Sequence, residues 1–98
     1  MLYSFYLMTH PNYPELVYIG STCNLKQRKI QHKSDCFNEN GFGYHKRMYK
    51  FIRDHEILFG EIVFKILDEF ECDTFETARK FEQMFIDQFD NTLNCINA

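Results

Sequence analysis

Two strand-like segments joined by a proline-containing turn stand near the start of this chain, and they restrict the fold more than any other feature. Residues 4–9 and 16–20 are rich in aromatic and β-branched side chains, and HPNYPE lies between them. This pattern predicts an antiparallel hairpin with a long loop. The fold is therefore expected to contain an antiparallel sheet.

The elements after the hairpin are predicted to be two helices, a strand and a helix. A polar cap among residues 21–24 begins a helix that ends near residue 36, and apolar spacing predicts a second helix over 44–55. EIVFKILDEF predicts a third strand, central enough in the sheet to be covered on both faces. A capped helix over 74–89 follows. The order ββααβα predicts an α+β fold, a small three-stranded antiparallel sheet flanked by three helices.

Length and composition limit the organisation of the chain. With 98 residues, 45% of them hydrophobic, it has room for one domain with one modest core, so we expect a single domain over residues 1–98. That core must be largely aromatic, because the chain has 11 Phe and 6 Tyr but no Trp.

The N-terminus and the cysteines indicate a compartment. MLYSFYLM has no basic flank and is soon followed by a proline, which is typical of a strand rather than a signal peptide. Cys23, Cys36, Cys72 and Cys95 form no Cys-x-x-Cys pair, which argues against a zinc ribbon and a disulfide framework and favours free thiols. We expect a soluble, intracellular protein.

The net charge of -3 conceals a strong asymmetry along the chain. Residues 26–55 hold eight basic and three acidic residues, a local balance of +5, whereas residues 56–98 have a balance of -7. One positive face could follow a phosphate backbone; the alternative is two solvated, lysine-rich helices. The candidate nucleic-acid-binding residues are Lys26, Lys29, Lys33, Lys46, Arg47, Lys50 and Arg53.

The last predicted helix has an acid on its apolar stripe. Phe75, Ala78, Phe85 and Phe89 share one face, and Glu82 completes their spacing. A buried carboxylate without a partner is costly, so Glu82 must find an arginine, a metal ion or the mouth of a cleft. The alternative is a residue at the edge of the stripe whose carboxylate reaches water, or a structural Glu–Arg pair.

The first predicted helix carries Arg28 and His32 at positions i and i+4, so the two side chains share a face with Leu25. A permanent cation and a group that titrates near neutrality therefore lie side by side. Phosphodiester cleavage needs such groups: a guanidinium for the phosphate, a base for water and a carboxylate-held cation. The alternative is a pair of exposed helix residues.

These residues together resemble the GIY-YIG endonuclease module, and the resemblance covers essentially the whole chain. SFY stands at residues 4–6 where the family has GIY, and YIG stands at residues 18–20. Arg28 and His32 follow in order, then Glu82 in ARKFEQMFID and Asn94 in NTLNCIN.

The resemblance implies a single-metal hydrolytic nuclease. Glu82 would bind Mg²⁺ or Mn²⁺, with water and phosphate completing the coordination. Arg28 would stabilise the charged transition state, and Asn94 would orient a ligand or tie the tail to the site.

The resemblance also implies a proton-transfer set. Tyr6 and Tyr18 would lie on adjacent strands facing one cleft, one of them serving as or assisting the general base. His32 would relay a proton. Which tyrosine takes the proton stays open.

Three functions remain open at this point. The first is a metal-dependent endonuclease acting on branched, flapped or damaged DNA, or on RNA. The second is a catalytically inactive nucleic-acid-binding module, which would have no chemical reason to keep the full set of site residues. The third is a structural or interaction domain. Family members commonly attach a DNA-binding domain, so a protein partner or a homodimer could supply targeting here, and Tyr44, His45 and Tyr49 could stack on bases or pack between helices.

Overall fold

A computed structural model describes residues 1–41 and 43–89. Its three strands are β1 (Leu2–His10), β2 (Tyr13–Thr22) and β3 (Val63–Glu71), and they form one antiparallel sheet in the order β2-β1-β3. Its helices are α1 (Leu25–Phe37), α2 (Arg47–Asp54) and α3 (Phe75–Asp87), with a short 3₁₀ turn at Phe59–Glu61. The predicted α+β class and the order ββααβα are confirmed.

Side-chain caps begin two of the helices. The Asn24 side chain accepts a hydrogen bond from the Gln27 backbone N–H at the start of α1. Thr74 does the same for Thr77 at the start of α3. Each cap satisfies a backbone donor that the first helical turn leaves without a partner. α1 and α3, the longest helices in the described ranges, have 13 residues each, fewer than a helix needs to cross a bilayer.

Three expectations about packing were wrong. β1, not β3, is the central strand, and Val63 and Ile66 of β3 are about half exposed, because apolar residues on both faces of a strand do not encode its position in the sheet. The strands β1 and β2 extend further than predicted, so two residues connect them instead of a long loop. The apolar stripe predicted for α3 includes Phe75, but Phe75 is 60% exposed. Phe81 packs on the sheet beside Ala78 instead.

The sheet buries a different cluster on each face, because successive residues of β1 point to opposite sides. The α1–α2 face carries Tyr6 and Met8, and the α3 face carries Phe5. Other buried residues of the α1–α2 face are Leu16, Cys36, Met48, Tyr49, Ile52, Ile57 and Ile62. The α3 face adds Cys72, Ala78 and the partly buried Tyr3, Phe70, Phe81 and Phe85. Cys23, Cys36 and Cys72 are free thiols, and Cys95 lies outside the described residues.

Candidate active site

A buried chain of hydrogen bonds joins three elements on the α1–α2 face. The Tyr6 hydroxyl of β1 lies 2.7 Å from Nε2 of His32 in α1, and Nδ1 of His32 lies 2.6 Å from the Tyr49 hydroxyl of α2. A neutral imidazole has one donor nitrogen and one acceptor nitrogen. One tyrosine hydroxyl therefore donates to His32 while the other accepts from it.

The imidazole of His32 is held in its neutral form. Burial lowers its pKa to about 4, and the positive charges of Arg28 and Lys46 add to the effect. The ring is also enclosed edge-on by Tyr6, Tyr18 and Tyr49, with centroids 5.8–5.9 Å away. His32 is thus uncharged at pH 7. The sequence-based expectation that it titrates near neutrality was wrong, because the fold buries it.

The two tyrosines of the sequence motifs lie in different surroundings. Tyr6 is buried, and its hydroxyl is engaged by His32. Tyr18 is half-buried, and within the described ranges its hydroxyl makes no hydrogen bond. Burial raises the pKa of Tyr18 to about 12, the Glu82 carboxylate adds to this, and Arg28 opposes it. Burial also raises the pKa of Tyr6 and of Tyr49.

Gly20 leaves room for the Tyr6 ring. The two residues are cross-strand partners in β1 and β2, and a Cβ at Gly20 would overlap the ring and hydroxyl of Tyr6. On the other side of β1 the pairing with β3 shifts between Phe5 and Tyr6, which is the register change of a β-bulge. The glycine of YIG therefore has a steric role in placing Tyr6.

Glu82 reaches the edge of this cluster from α3. It is half-buried and accepts a hydrogen bond of 2.6 Å from the hydroxyl of Ser21, the residue after YIG. Its charge acts on the pKa of both Tyr6 and Tyr18. Across residues 1–41 and 43–89, no three His, Cys, Asp or Glu side chains gather as a metal cage. A single carboxylate fits a hydrated Mg²⁺, which is commonly held by one or two carboxylates, waters and substrate phosphate.

Arg28 lies beside the same cluster as a half-buried cation. Its positive charge acts to lower the pKa of four groups in the cluster: Tyr6, Tyr18, His32 and Tyr49. None of the acidic side chains that the structure describes forms an ion pair with it. Its charge is therefore available to an anion. Asn94 lies outside the described residues.

The predicted nucleic-acid-binding residues differ in availability. Six are exposed: Lys26, Lys29, Lys33, Lys46, Arg47 and Lys50. Arg53 is half-buried, donates to the carbonyls of Cys36 (2.5 Å) and Tyr44 (2.7 Å) and stacks 3.6 Å from the Tyr44 ring centroid. Its guanidinium links α2 to the end of α1 and to the segment that precedes α2.

Sequence reasoning did not assign Tyr49 and Ser21 to the site. The sequence predicts base stacking or helix packing for Tyr49, and the structure buries its side chain against His32. The sequence predicts only a helix-capping role for Ser21, whereas its hydroxyl donates a hydrogen bond to Glu82. A buried tyrosine on an amphipathic helix was the available signal for Tyr49, but its partner depends on how two helices meet.

The GIY-YIG catalytic domain model matches residues 2–94, which is nearly the whole chain. That span includes all six candidate catalytic residues: Tyr6, Tyr18, Arg28, His32, Glu82 and Asn94. Comparison with curated proteins and comparison with solved structures each gave no match.

Proposed function

Because this chain belongs to the GIY-YIG catalytic domain family, whose members are generally endonucleases and typically use divalent metals, we propose that it is a metal-dependent endonuclease. Its substrate would be nucleic acid, most directly DNA with branched or structured regions, or RNA. One observation carries the proposal: Arg28, which pairs with none of the described acidic side chains, acts electrostatically on the Tyr6–His32 pair, and the Ser21-bound Glu82 acts on Tyr6.

Two side chains would handle the phosphate. Glu82 would hold Mg²⁺ or Mn²⁺, and a bound ion would offset phosphate charge and acidify the attacking water. Arg28 would bind the phosphate oxygens and stabilise the negative charge that grows on them. Asn94 would orient a ligand at the same site, as the family resemblance implies.

The proton chemistry divides between the two tyrosines. We assign the general base to Tyr18, because its hydroxyl is free of hydrogen bonds to the described residues. Burial and Glu82 raise the pKa of Tyr18 to about 12, so its phenolate would form only where Arg28 and a metal ion held by Glu82 offset these two effects. Tyr6 would remain a phenol that orients water or phosphate. Neutral His32, held by Tyr49, would fix the direction of the Tyr6 hydroxyl.

The test is a cleavage assay on the 98-residue chain with labelled single-stranded, duplex, flap and junction substrates in Mg²⁺ or Mn²⁺. Removal of the metal with EDTA should stop cleavage, and Glu82→Ala should lower its rate at least about 100-fold. The matched control is Glu69→Ala, because Glu69 also accepts a serine hydroxyl, from Ser4 at 2.9 Å, yet lies on exposed β3. Wild-type cleavage by Glu82→Ala would refute the metal assignment, and binding without cleavage of any substrate would indicate an inactive binding module.

We further propose that residues 1–98 act as one domain, and that a protein partner or a second copy supplies targeting. Cleavage whose specific rate rises with protein concentration would support a homodimer, and a rate independent of concentration would argue against it.

A further inference from the structure

The Ser21 side chain makes a hydrogen bond that the turn between β2 and α1 does not need. That turn is stabilised by Thr22, whose hydroxyl accepts from the Asn24 backbone N–H at 3.1 Å and donates to the Asn24 carbonyl at 3.2 Å. The Asn24 side chain then caps α1. The Ser21 hydroxyl is directed elsewhere, to Oε2 of Glu82, 61 positions further along the chain.

The bond between Ser21 and Glu82 is short and sheltered. Its length of 2.6 Å is typical of a hydroxyl that donates to a carboxylate, and both side chains are half-buried. The chain offers a second serine–glutamate pair for comparison, in which the Ser4 hydroxyl donates to Glu69 at 2.9 Å. Ser4 and Glu69 are direct partners on two paired strands, whereas the Ser21 bond joins a strand to a helix. The Ser21 bond therefore restricts a glutamate that the sheet itself does not hold.

Arg28 and Glu82 are opposite charges in one cluster that do not pair with each other. Arg28 acts to lower the pKa of Tyr6 and of Tyr18, and Glu82 acts to raise both. No ion pair joins these two described side chains, although both are half-buried. Opposite charges attract more strongly in such surroundings than in bulk water. The hydrogen bond from Ser21 competes with this attraction for the Glu82 carboxylate.

We propose that Ser21 is a positioning residue whose hydroxyl holds the Glu82 carboxylate away from Arg28. The carboxylate then stays available to a divalent cation and the guanidinium to a phosphate. This inference rests on the proposed nuclease function and adds to it a residue outside the six candidate catalytic residues. Without the Ser21 hydroxyl, Glu82 would be free to pair with Arg28, and a single ion pair would occupy both the metal-binding and the phosphate-binding group.

The first measurement is Mn²⁺ binding to the 98-residue chain without nucleic acid, followed by the electron paramagnetic resonance signal of free Mn²⁺. Ser21→Ala should weaken binding about 10- to 100-fold, as loss of a hydrogen bond to a metal-binding carboxylate typically does. Ser21→Thr keeps the hydroxyl and should bind within about threefold of wild type. Circular dichroism of each variant should match the wild type, so that the loss is not due to unfolding.

The matched control for Ser21→Ala is Ser4→Ala, which removes the other serine–glutamate bond. Ser4→Ala should bind Mn²⁺ as the wild type does. An equal loss in Ser4→Ala, or wild-type binding by Ser21→Ala, would overturn the proposal. A wild type that binds no Mn²⁺ would also overturn it.

A double-mutant cycle tests whether Arg28 is the group from which Glu82 is held. Arg28→Gln should strengthen Mn²⁺ binding in any background, because it removes a cation that repels the metal. The gain should be at least about threefold larger in Ser21→Ala than in the wild type, since there the substitution also releases Glu82 from an ion pair. Equal gains in the two backgrounds would refute the proposed role of Ser21.

These measurements need no cleavage, so the two proposals can fail separately. A protein whose variants bind Mn²⁺ as expected but which cleaves no nucleic acid would contradict the nuclease proposal and support the role of Ser21. A protein that cleaves while Ser21→Ala binds Mn²⁺ like the wild type would contradict the role of Ser21 alone.

Discussion

The two faces of the sheet are both lined with aromatic rings, but they carry different kinds of groups. On the α3 face Phe5, Phe70, Phe81 and Phe85 contact one another at centroid distances of 4.9–6.5 Å, without a polar atom among their side chains. On the α1–α2 face the hydroxyls of Tyr6 and Tyr49 are joined by hydrogen bonds to the imidazole of His32. Phe5 and Tyr6 are consecutive residues, so β1 divides the two environments.

This difference assigns separate tasks to the two faces. Burial of apolar rings stabilises the fold without a desolvation cost, so the α3 face can anchor the helix that carries Glu82. Burial of phenol and imidazole groups instead penalises their charged forms and shifts their pKa values. The α3 face therefore holds the all-apolar packing, and the α1–α2 face holds the buried polar groups whose pKa values are shifted.

The largest expected effect is on the α3 face. Phe5→Ala should lower the free energy of unfolding by about 3–5 kcal/mol, because Phe5 is fully buried between β1 and α3. Urea denaturation followed by circular dichroism measures it. Phe75 is an exposed phenylalanine of α3, so Phe75→Ala should lower the free energy of unfolding by less than about 1 kcal/mol. Similar losses in the two variants would mean that the α3 face does not anchor the sheet.

The next effect is a pH dependence that belongs to the α1–α2 face. The pKa of His32 is about 4 in the folded state and 6.5 when unperturbed, so between these values the unfolded chain binds more protons. Stability is fully present above pH 6.5 and falls as the pH drops towards 4, by about 3 kcal/mol at 1.36 kcal/mol per pKa unit for this 3%-exposed side chain. Urea denaturation from pH 4 to 7 should show this slope.

Two substitutions isolate the contribution of His32 to that slope. His32→Gln should lose the 3 kcal/mol dependence, whereas His45→Gln, at an exposed histidine, should keep it. A wild-type slope in His32→Gln would show that His32 is not held neutral by the fold. Cleavage should also show no inflection from His32 between pH 6 and 8.

A smaller effect is expected from the outer end of the hydrogen-bond chain. Tyr49→Phe keeps the ring but leaves His32 Nδ1 without its partner, which should cost about 1–3 kcal/mol of stability. Cleavage should fall about 10- to 100-fold, with KM little changed, because the imidazole loses the contact that fixes its tautomer. Tyr13→Phe is the control, since the Tyr13 ring packs on Phe51 and His55 on the same face. Equal losses of stability and cleavage in the two variants would show that Tyr49 does not position His32.

The sequence predicts the local structure of this fold better than its assembly. Periodicity and caps predict all six main elements, since they depend on neighbours three or four residues apart. The prediction that β3 is a central strand was wrong because its β-branched residues, such as Val63 and Ile66, are typical of a buried strand. Strand order depends on which residues pair across the sheet, and composition does not contain that information.

The same division holds at the site. That Glu82 has a polar partner is predictable, since a carboxylate on an apolar stripe needs one, and the shared helix face of Arg28 and His32 follows from i, i+4 spacing. Tyr49 is not, because its bond to His32 joins residues 17 positions apart on two helices. The neutrality of His32 likewise comes from burial and from Lys46, which only the folded chain brings near.

The smallest expected effect concerns the end of α2, the helix that carries Tyr49. Glu56 has φ 51°, a left-handed conformation, and the N–H groups of Glu56 and Ile57 bond to the carbonyls of Arg53 and Ile52 in a Schellman motif. Glycine adopts this conformation without strain, so Glu56→Gly should raise the free energy of unfolding by about 0.5 kcal/mol. Glu56→Ala removes the same charge but keeps the Cβ, so it should give no gain, and an equal gain would mean that charge rather than backbone strain is responsible. If Glu56→Gly stabilises the protein while the cleavage rate stays unchanged, that rate depends on the arrangement of the polar groups on the α1–α2 face and not on the stability of the helices that hold them.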